Sequence, residues 1–183
     1  MNWKAYYDAR VLGSDPQDHL RQVGHTVNGA PIPEDHFRAL LDQIDDNLTL
    51  SSADRLLDLC CGNGLFTRPL AARVTSTYGI DISEAMIAVA HADHAAPNLK
   101  YCVMDARDAA TLAARPEAPF TRALLYGAWQ HFTPDTGAEV LRALLQITTP
   151  EAEILLGFVP DRAFKDHFFD TPERRAAHAH HVA

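Results

Sequence analysis

The sequence predicts an α/β fold built on a doubly wound parallel sheet, and three observations carry that prediction. Short apolar runs of strand length recur at residues 55–60, 76–82, 99–104, 122–126 and 153–159. Segments with helical periodicity or helix-capping residues separate most of them, and strands alternating with helices lie parallel, because each connection must carry the chain back across a face of the sheet. The composition is that of a folded chain: of 183 residues, 47% are apolar and 22% charged, enough to build one real core.

Each element follows from its residues. Residues 1–32 form an N-terminal cap or lid segment ahead of the core, with a loop-like stretch from residue 10 marked by Gly13, Asp15-Pro16, Asn28-Gly29, Pro31 and Pro33. A helix follows, because Phe37, Leu40, Leu41, Ile44 and Leu48 share one face and Pro33-Glu34-Asp35 suits a first turn. Residues 55–60 end at Gly62 as a buried strand. Residues 65–74 read as helix, with Pro69 limiting its regular hydrogen bonding. After the second strand, Ser83 caps a helix expected to bury Met86, Val89 and Ala90. The third strand leads into a short helix or loop over 106–119. Past the fourth strand, Thr133 and Pro134 stand as N-cap and first helical residue of a helix reaching Ile147, with Val140, Leu141, Leu144 and Leu145 expected inward. The fifth strand is stopped by Pro160. These elements give a core over 33–160, and right-handed crossovers make it Rossmann-like, with ligands bound at the carboxyl ends of the strands. Residues 161–183 are expected to be a helical tail, with Thr171-Pro172-Glu173 as a helix start.

Charge and cysteines narrow the function classes. The net charge of −8 argues against binding that depends on neutralising phosphates, so a nucleic-acid partner is not expected. No apolar run reaches the length of a membrane span, and the first residues carry no secretory apolar stretch, so no membrane partner and a cytoplasmic location are expected. Cys60, Cys61 and Cys102 do not make a disulfide framework; the adjacent pair reads as small buried side chains. His178, His180 and His181 have metal-ligand spacing but no accompanying cluster, so no metal is expected.

The chemistry concentrates where strands end. In Asp58-Leu59-Cys60-Cys61-Gly62-Asn63-Gly64, the glycines allow a ligand close to the backbone, and the helix beyond presents free N–H groups. Asp81 closes the second strand, where an acid can accept from two ribose hydroxyls. Asp105 closes the third. Three acids on one sheet edge suit an adenosine with a cationic or hydroxyl-rich tail better than a pyrophosphate. The third glycine of a dinucleotide fingerprint is also missing, since Thr67 stands in its place.

These residues, with Gly79-Ile80-Asp81-Ile82-Ser83-Glu84-Ala85-Met86 and Met104-Asp105-Ala106, resemble the class I S-adenosylmethionine-dependent methyltransferases over residues 53–160. The sequence departs from that pattern at Cys60, where the family usually has glycine. The resemblance implies S-adenosylmethionine as cofactor and S-adenosylhomocysteine as product. Cys60, Cys61, Gly62 and Gly64 would back onto the methionine part, with Asp58 nearby. Asp81 would hold the ribose diol, Ile82 would pack on the adenine, Asp105 would accept from its amino group and the Ala106 backbone would read the ring. Met86 belongs to the same set, and Tyr126 and Gly127 would line the methionine tail. His131, on the loop after the fourth strand, is the candidate base, with backbone bonding or packing as its alternative. Tyr7, Gln22 and Thr26 are candidate lid residues, and Trp129 lies on the acceptor side. The Asn/Asp-Pro-Pro-aromatic motif of amino-directed nucleic-acid methyltransferases is absent, which disfavours exocyclic base amines; the expected acceptor is an oxygen or nitrogen of a small molecule. The alternatives are a cofactor-binding module without full activity and an NAD-type oxidoreductase. The resemblance also implies two antiparallel strands after the fifth. The sequence beyond it shows no strand-like alternation, so the chain reads as truncated or as pairing through that edge or the tail, as a homodimer.

Overall fold

The computed structural model describes residues 1–161, 163, 171–173 and 175–176. Five parallel strands form the main sheet: β3 (Arg55–Leu59), β4 (Ser76–Asp81), β5 (Leu99–Val103), β6 (Phe120–Tyr126) and β7 (Thr148–Gly157), in the order β5-β4-β3-β6-β7. The order reverses at β3, so the crevice at the carboxyl ends of β3 and β6 is the expected ligand position of a doubly wound sheet. Among the described residues the main sheet has no antiparallel strand. β7 forms one edge. The association expected through that edge falls on β7 and on the tail, most of which lies outside the described residues, as do His178, His180 and His181. No helix among the described residues is long and apolar enough to cross a membrane.

Side-chain alternation divides the core. Leu57 and Leu59 of β3, Tyr78 and Ile80 of β4, and Ala123 and Leu125 of β6 pack on one face, under α6 (Pro134–Ile147) and a 3₁₀ helix, Ala106–Ala114. On the other face, Leu56 and Leu124 meet Ile44 and Leu48 of α3 (Glu34–Leu48), with Phe66 and Leu70 beside α4 (Thr67–Ala71). Farther along that face, α5 (Glu84–Asp93) buries Ile87 and Ala90 against Leu99 and Tyr101. The predicted caps form: Ser83 Oγ accepts from the Met86 N–H at 3.1 Å, and Thr133 Oγ1 from Thr136 at 3.2 Å.

Four readings change. Leu145 points outward and is 70% exposed; Ala143 and Ile147 take the inward positions of α6. In α5, Ile87 is buried where Val89 was expected, Val89 being only half-buried. The 65–74 helix is the single short turn of α4 around Pro69. The N-terminal segment, expected as loop from residue 10, carries α1 (Trp3–Leu12), α2 (His19–Gln22) and a hairpin of β1 (Thr26–Val27) and β2 (Ala30–Pro31). Asn2 caps α1 by accepting from the Ala5 N–H at 3.1 Å. That cap, with Asn28-Gly29 at the hairpin turn, is the signal the sequence held.

Candidate active site

Strand register places the acids. Leu59 pairs with Ile80 and Leu125, and Asp81 with Val103, so β3, β4, β5 and β6 end close to one level. Asp58 and Asp81, each even with the α3–α5 face by alternation, thereby reach one cavity of about 610 Å³. Its wall includes Asp58, Cys60, Cys61, Gly62, Asp81 and Ile82. Met86, Asp105, Ala106, Tyr126, Gly127, Tyr7 and His131 complete the expected residues found there. Gly64, Gln22, Thr26 and Trp129 do not line it.

The four outsiders hold the framework. A Cβ at Gly64, which has φ of 81°, would run into the Tyr101 hydroxyl, so this glycine serves packing. Gln22 is fully buried and accepts from Asn63 Nδ2 at 2.9 Å, tying α2 to the turn after β3. Thr26 belongs to the hairpin. Trp129 lies against Gly137 of α6, where a Cβ would sit 3.0 Å from the indole.

Each carboxylate has its own surroundings. Asp58 is buried and accepts from Thr67 Oγ1 at 2.6 Å, which accounts for a hydroxyl where a dinucleotide fingerprint has glycine. Burial raises its pKa to about 7, against the Thr67 bond that lowers it. Asp81 Oδ2 accepts from the Gly62 N–H at 3.0 Å and Oδ1 from the Ser83 N–H at 2.8 Å. Each oxygen keeps further acceptor capacity, and the residue lines the cavity; burial raises this pKa too. Asp105 differs from expectation. Its Oδ1 accepts from Arg107 Nε at 3.1 Å and its Oδ2 from an Arg107 terminal nitrogen at 2.7 Å, and the guanidinium lowers its pKa. A base amino group reaching this acid would share it with Arg107. That residue lies two positions on, and its role is not readable from spacing alone.

Cys60 adopts a φ of 59°, a left-handed conformation that a glycine would take without strain. Its neighbour Cys61 donates its backbone N–H to Ile80 at 2.9 Å and packs its sulfur near Gly79. Burial pushes both thiols up, away from the nucleophilic thiolate.

The N-terminal segment closes one side. Tyr7 Oη and His131 Nε2 lie 2.8 Å apart. The Trp3 ring is 4.0 Å from the His131 ring, and Trp3 Nε1 donates to the His131 carbonyl at 3.1 Å. Burial lowers the His131 pKa to about 4 and leaves its Nδ1 without a hydrogen-bond partner. Asp8 pins the same helix to α5 by accepting from Ser83 Oγ at 2.6 Å and from the Ala85 N–H at 3.1 Å. With α1 in place, the imidazole is neutral, tilted against the Trp3 ring and bonded to the Tyr7 hydroxyl, so it serves to dock α1. His25, Phe66 and Phe158 also line the cavity, and sequence spacing did not single them out.

Comparison with known proteins follows this geometry. Residues 56–151 match the family model described as a methyltransferase domain. A 23S rRNA (uracil(1939)-C(5))-methyltransferase of Alkalilimnicola ehrlichii is 44% identical over 76 residues, covering 42% of this chain and 15% of that relative. The chain thus spans under a fifth of the curated relative it matches. Among solved structures, a SAM-dependent methyltransferase from Anabaena variabilis has a TM-score of 0.65 at 17% identity, over 96% of this chain and 67% of that one. A DhpI–SAH complex has a TM-score of 0.60 at 19% identity, over 82% and 64%. The rRNA relative overturns the expectation that excludes nucleic acid. Net charge argues only against binding that rests on phosphate neutralisation and does not define the acceptor of a cavity.

Proposed function

The chain belongs to the class I S-adenosylmethionine-dependent methyltransferase family, and from that premise we propose that it transfers the methyl group of S-adenosylmethionine to an oxygen or nitrogen of a small-molecule acceptor. The observation that carries the reading is Asp81, which lines the cavity and is held by the Gly62 and Ser83 N–H groups. The fit extends along the wall. The left-handed Gly62, at φ 56°, and Gly127, at φ 69°, allow close backbone approach, and the cavity volume lies within the usual range for ligand sites.

Bound here, the cofactor supplies an electrophilic methyl group on a positively charged sulfur. Asp81 would hold the ribose diol, and Asp58 would offer a carboxylate whose ionisation a nearby cation favours. Trp3 and Tyr7 cover the cavity and limit water, so that an acceptor lone pair aligned about 3–3.5 Å from the methyl meets little competition. An acceptor that starts protonated must lose its proton; in this reading His131 anchors α1 and the proton leaves through solvent.

A second reading takes a nucleic-acid base as acceptor, favoured by the match to the A. ehrlichii rRNA enzyme. Calorimetry with S-adenosylhomocysteine and, separately, NAD tests the cofactor. Asp81→Ala should weaken S-adenosylhomocysteine by about 10–150-fold, the equivalent of roughly 1.5–3 kcal/mol for hydrogen bonds to a charged group. NAD binding without any response to S-adenosylhomocysteine would refute the assignment. Labelled methyl transfer into a metabolite extract or into rRNA then separates the two acceptor classes.

A further inference from the structure

Phe158 is a cavity residue that cofactor binding leaves unexplained. It follows β7 with a φ of 52° and stays 54% exposed. A bulky side chain rarely takes a left-handed backbone, and a half-exposed phenyl gains little from burial in return. What this conformation achieves is a position for the ring. Phe158 lies 5.7 Å from Tyr126 at 28° and 5.4 Å from His25 at 46°. His25 stacks on Tyr126 at 6.3 Å and 18°, and Phe66 meets both, at 4.9 and 5.3 Å. Gly157 makes room for this arrangement, because a Cβ there would run into the Tyr126 ring.

All four rings line the cavity. Tyr126 and Phe158 close β6 and β7, whereas Asp81 and Asp105 lie at the ends of β4 and β5, on the other side of β3 in the sheet. The aromatic wall therefore stands away from the acids assigned to the nucleoside, toward the part of the cavity left for an acceptor. Burial keeps His25 neutral and the Tyr126 phenol protonated, so the wall carries no formal charge. Resting on the methyltransferase reading, we propose that His25, Tyr126 and Phe158 form the acceptor subsite and select a planar aromatic or heteroaromatic ring. An aliphatic acceptor would be served by branched apolar side chains without backbone strain, whereas π faces reward offset stacking. A cationic acceptor would be repelled by the positively charged sulfur of the cofactor. The same ring chemistry can come from a free small molecule or from a nucleobase.

The test is a binding titration of the full chain at saturating S-adenosylhomocysteine. One arm compares 2-naphthol with its saturated counterpart, decahydro-2-naphthol; the other compares a single-stranded uridine dodecamer with an abasic strand of equal length. The expected result is a preference of about tenfold for the ring-bearing member of at least one pair, cut below about threefold by Phe158→Leu and by His25→Leu. The arm that shows it identifies the source of the ring. Equal affinities in both pairs, or a preference that both variants retain, would overturn the subsite. Failure of the wild-type chain to bind S-adenosylhomocysteine in the same titration would instead overturn the methyltransferase reading.

Discussion

Asp58 shows how one buried residue ties stability to pH. Its carboxyl titrates near 7 in the folded chain against 3.8 ordinarily, because burial disfavours the charged form. A raised folded pKa means the native state holds the proton longer than the unfolded chain. The stability this group contributes is therefore fully present below 3.8 and lost as pH rises through about 7. Asp58→Asn mimics the protonated form, so its melting temperature should fall less than that of wild type between pH 5 and 7, read by calorimetry at matched ionic strength. Parallel curves would contradict the burial argument. His131 has the opposite sign, its contribution lost as pH falls from 6.5 toward 4, so the variant comparison is needed to isolate Asp58. At this scale much of the site was legible. Acids at strand ends and glycines at turns are local signals, and Asp58, Asp81 and Gly62 all line the cavity. The Asp105–Arg107 pair was not legible, because two residues two positions apart reveal a salt bridge only once the turn between them is known.

Among the elements, α1 is held in place chiefly by docking. It has no buried residue of its own, so intrinsic stability contributes little and docking contributes most. The contacts include Trp3 on His131, the Tyr7–His131 bond, Asp8 on the first turn of α5, and Arg10 Nε donating to the Arg21 carbonyl at 2.8 Å. Trp3→Ala removes a ring contact and a hydrogen bond together worth roughly 2 kcal/mol, so α1 amides should exchange about 30-fold faster while β3 amides keep their protection. Hydrogen exchange read by mass spectrometry checks this; unchanged protection would show that the remaining contacts of Tyr7, Asp8 and Arg10 hold the helix without Trp3. The sequence placed a lid in residues 1–32 but missed its helices, because their partners lie far away in the chain. Tyr7 and His131 are separated by 124 positions, and no local periodicity reports such a contact.

For the whole molecule, the sheet order decides what the cavity is. Phe120, fully buried at the start of β6, anchors the face under α6. Phe120→Ala should cost about 3–5 kcal/mol by urea unfolding, whereas Leu145→Gln on the exposed face of the same helix layer should stay within about 0.5 kcal/mol. A large loss at Leu145 would mean that an association buries it. The five strands, the caps at Ser83 and Thr133 and the parallel order were determined by the sequence itself, since apolar periodicity, capping chemistry and crossover handedness are local or generic constraints. Only the tertiary structure decided that Leu145 of α6 faces outward, that His131 lies under α1, and that His25, Phe66, Tyr126 and Phe158 share one wall. Those facts depend on packing between segments distant in sequence, where the energy of a contact is set by the neighbour it meets and not by the residues beside it in the chain.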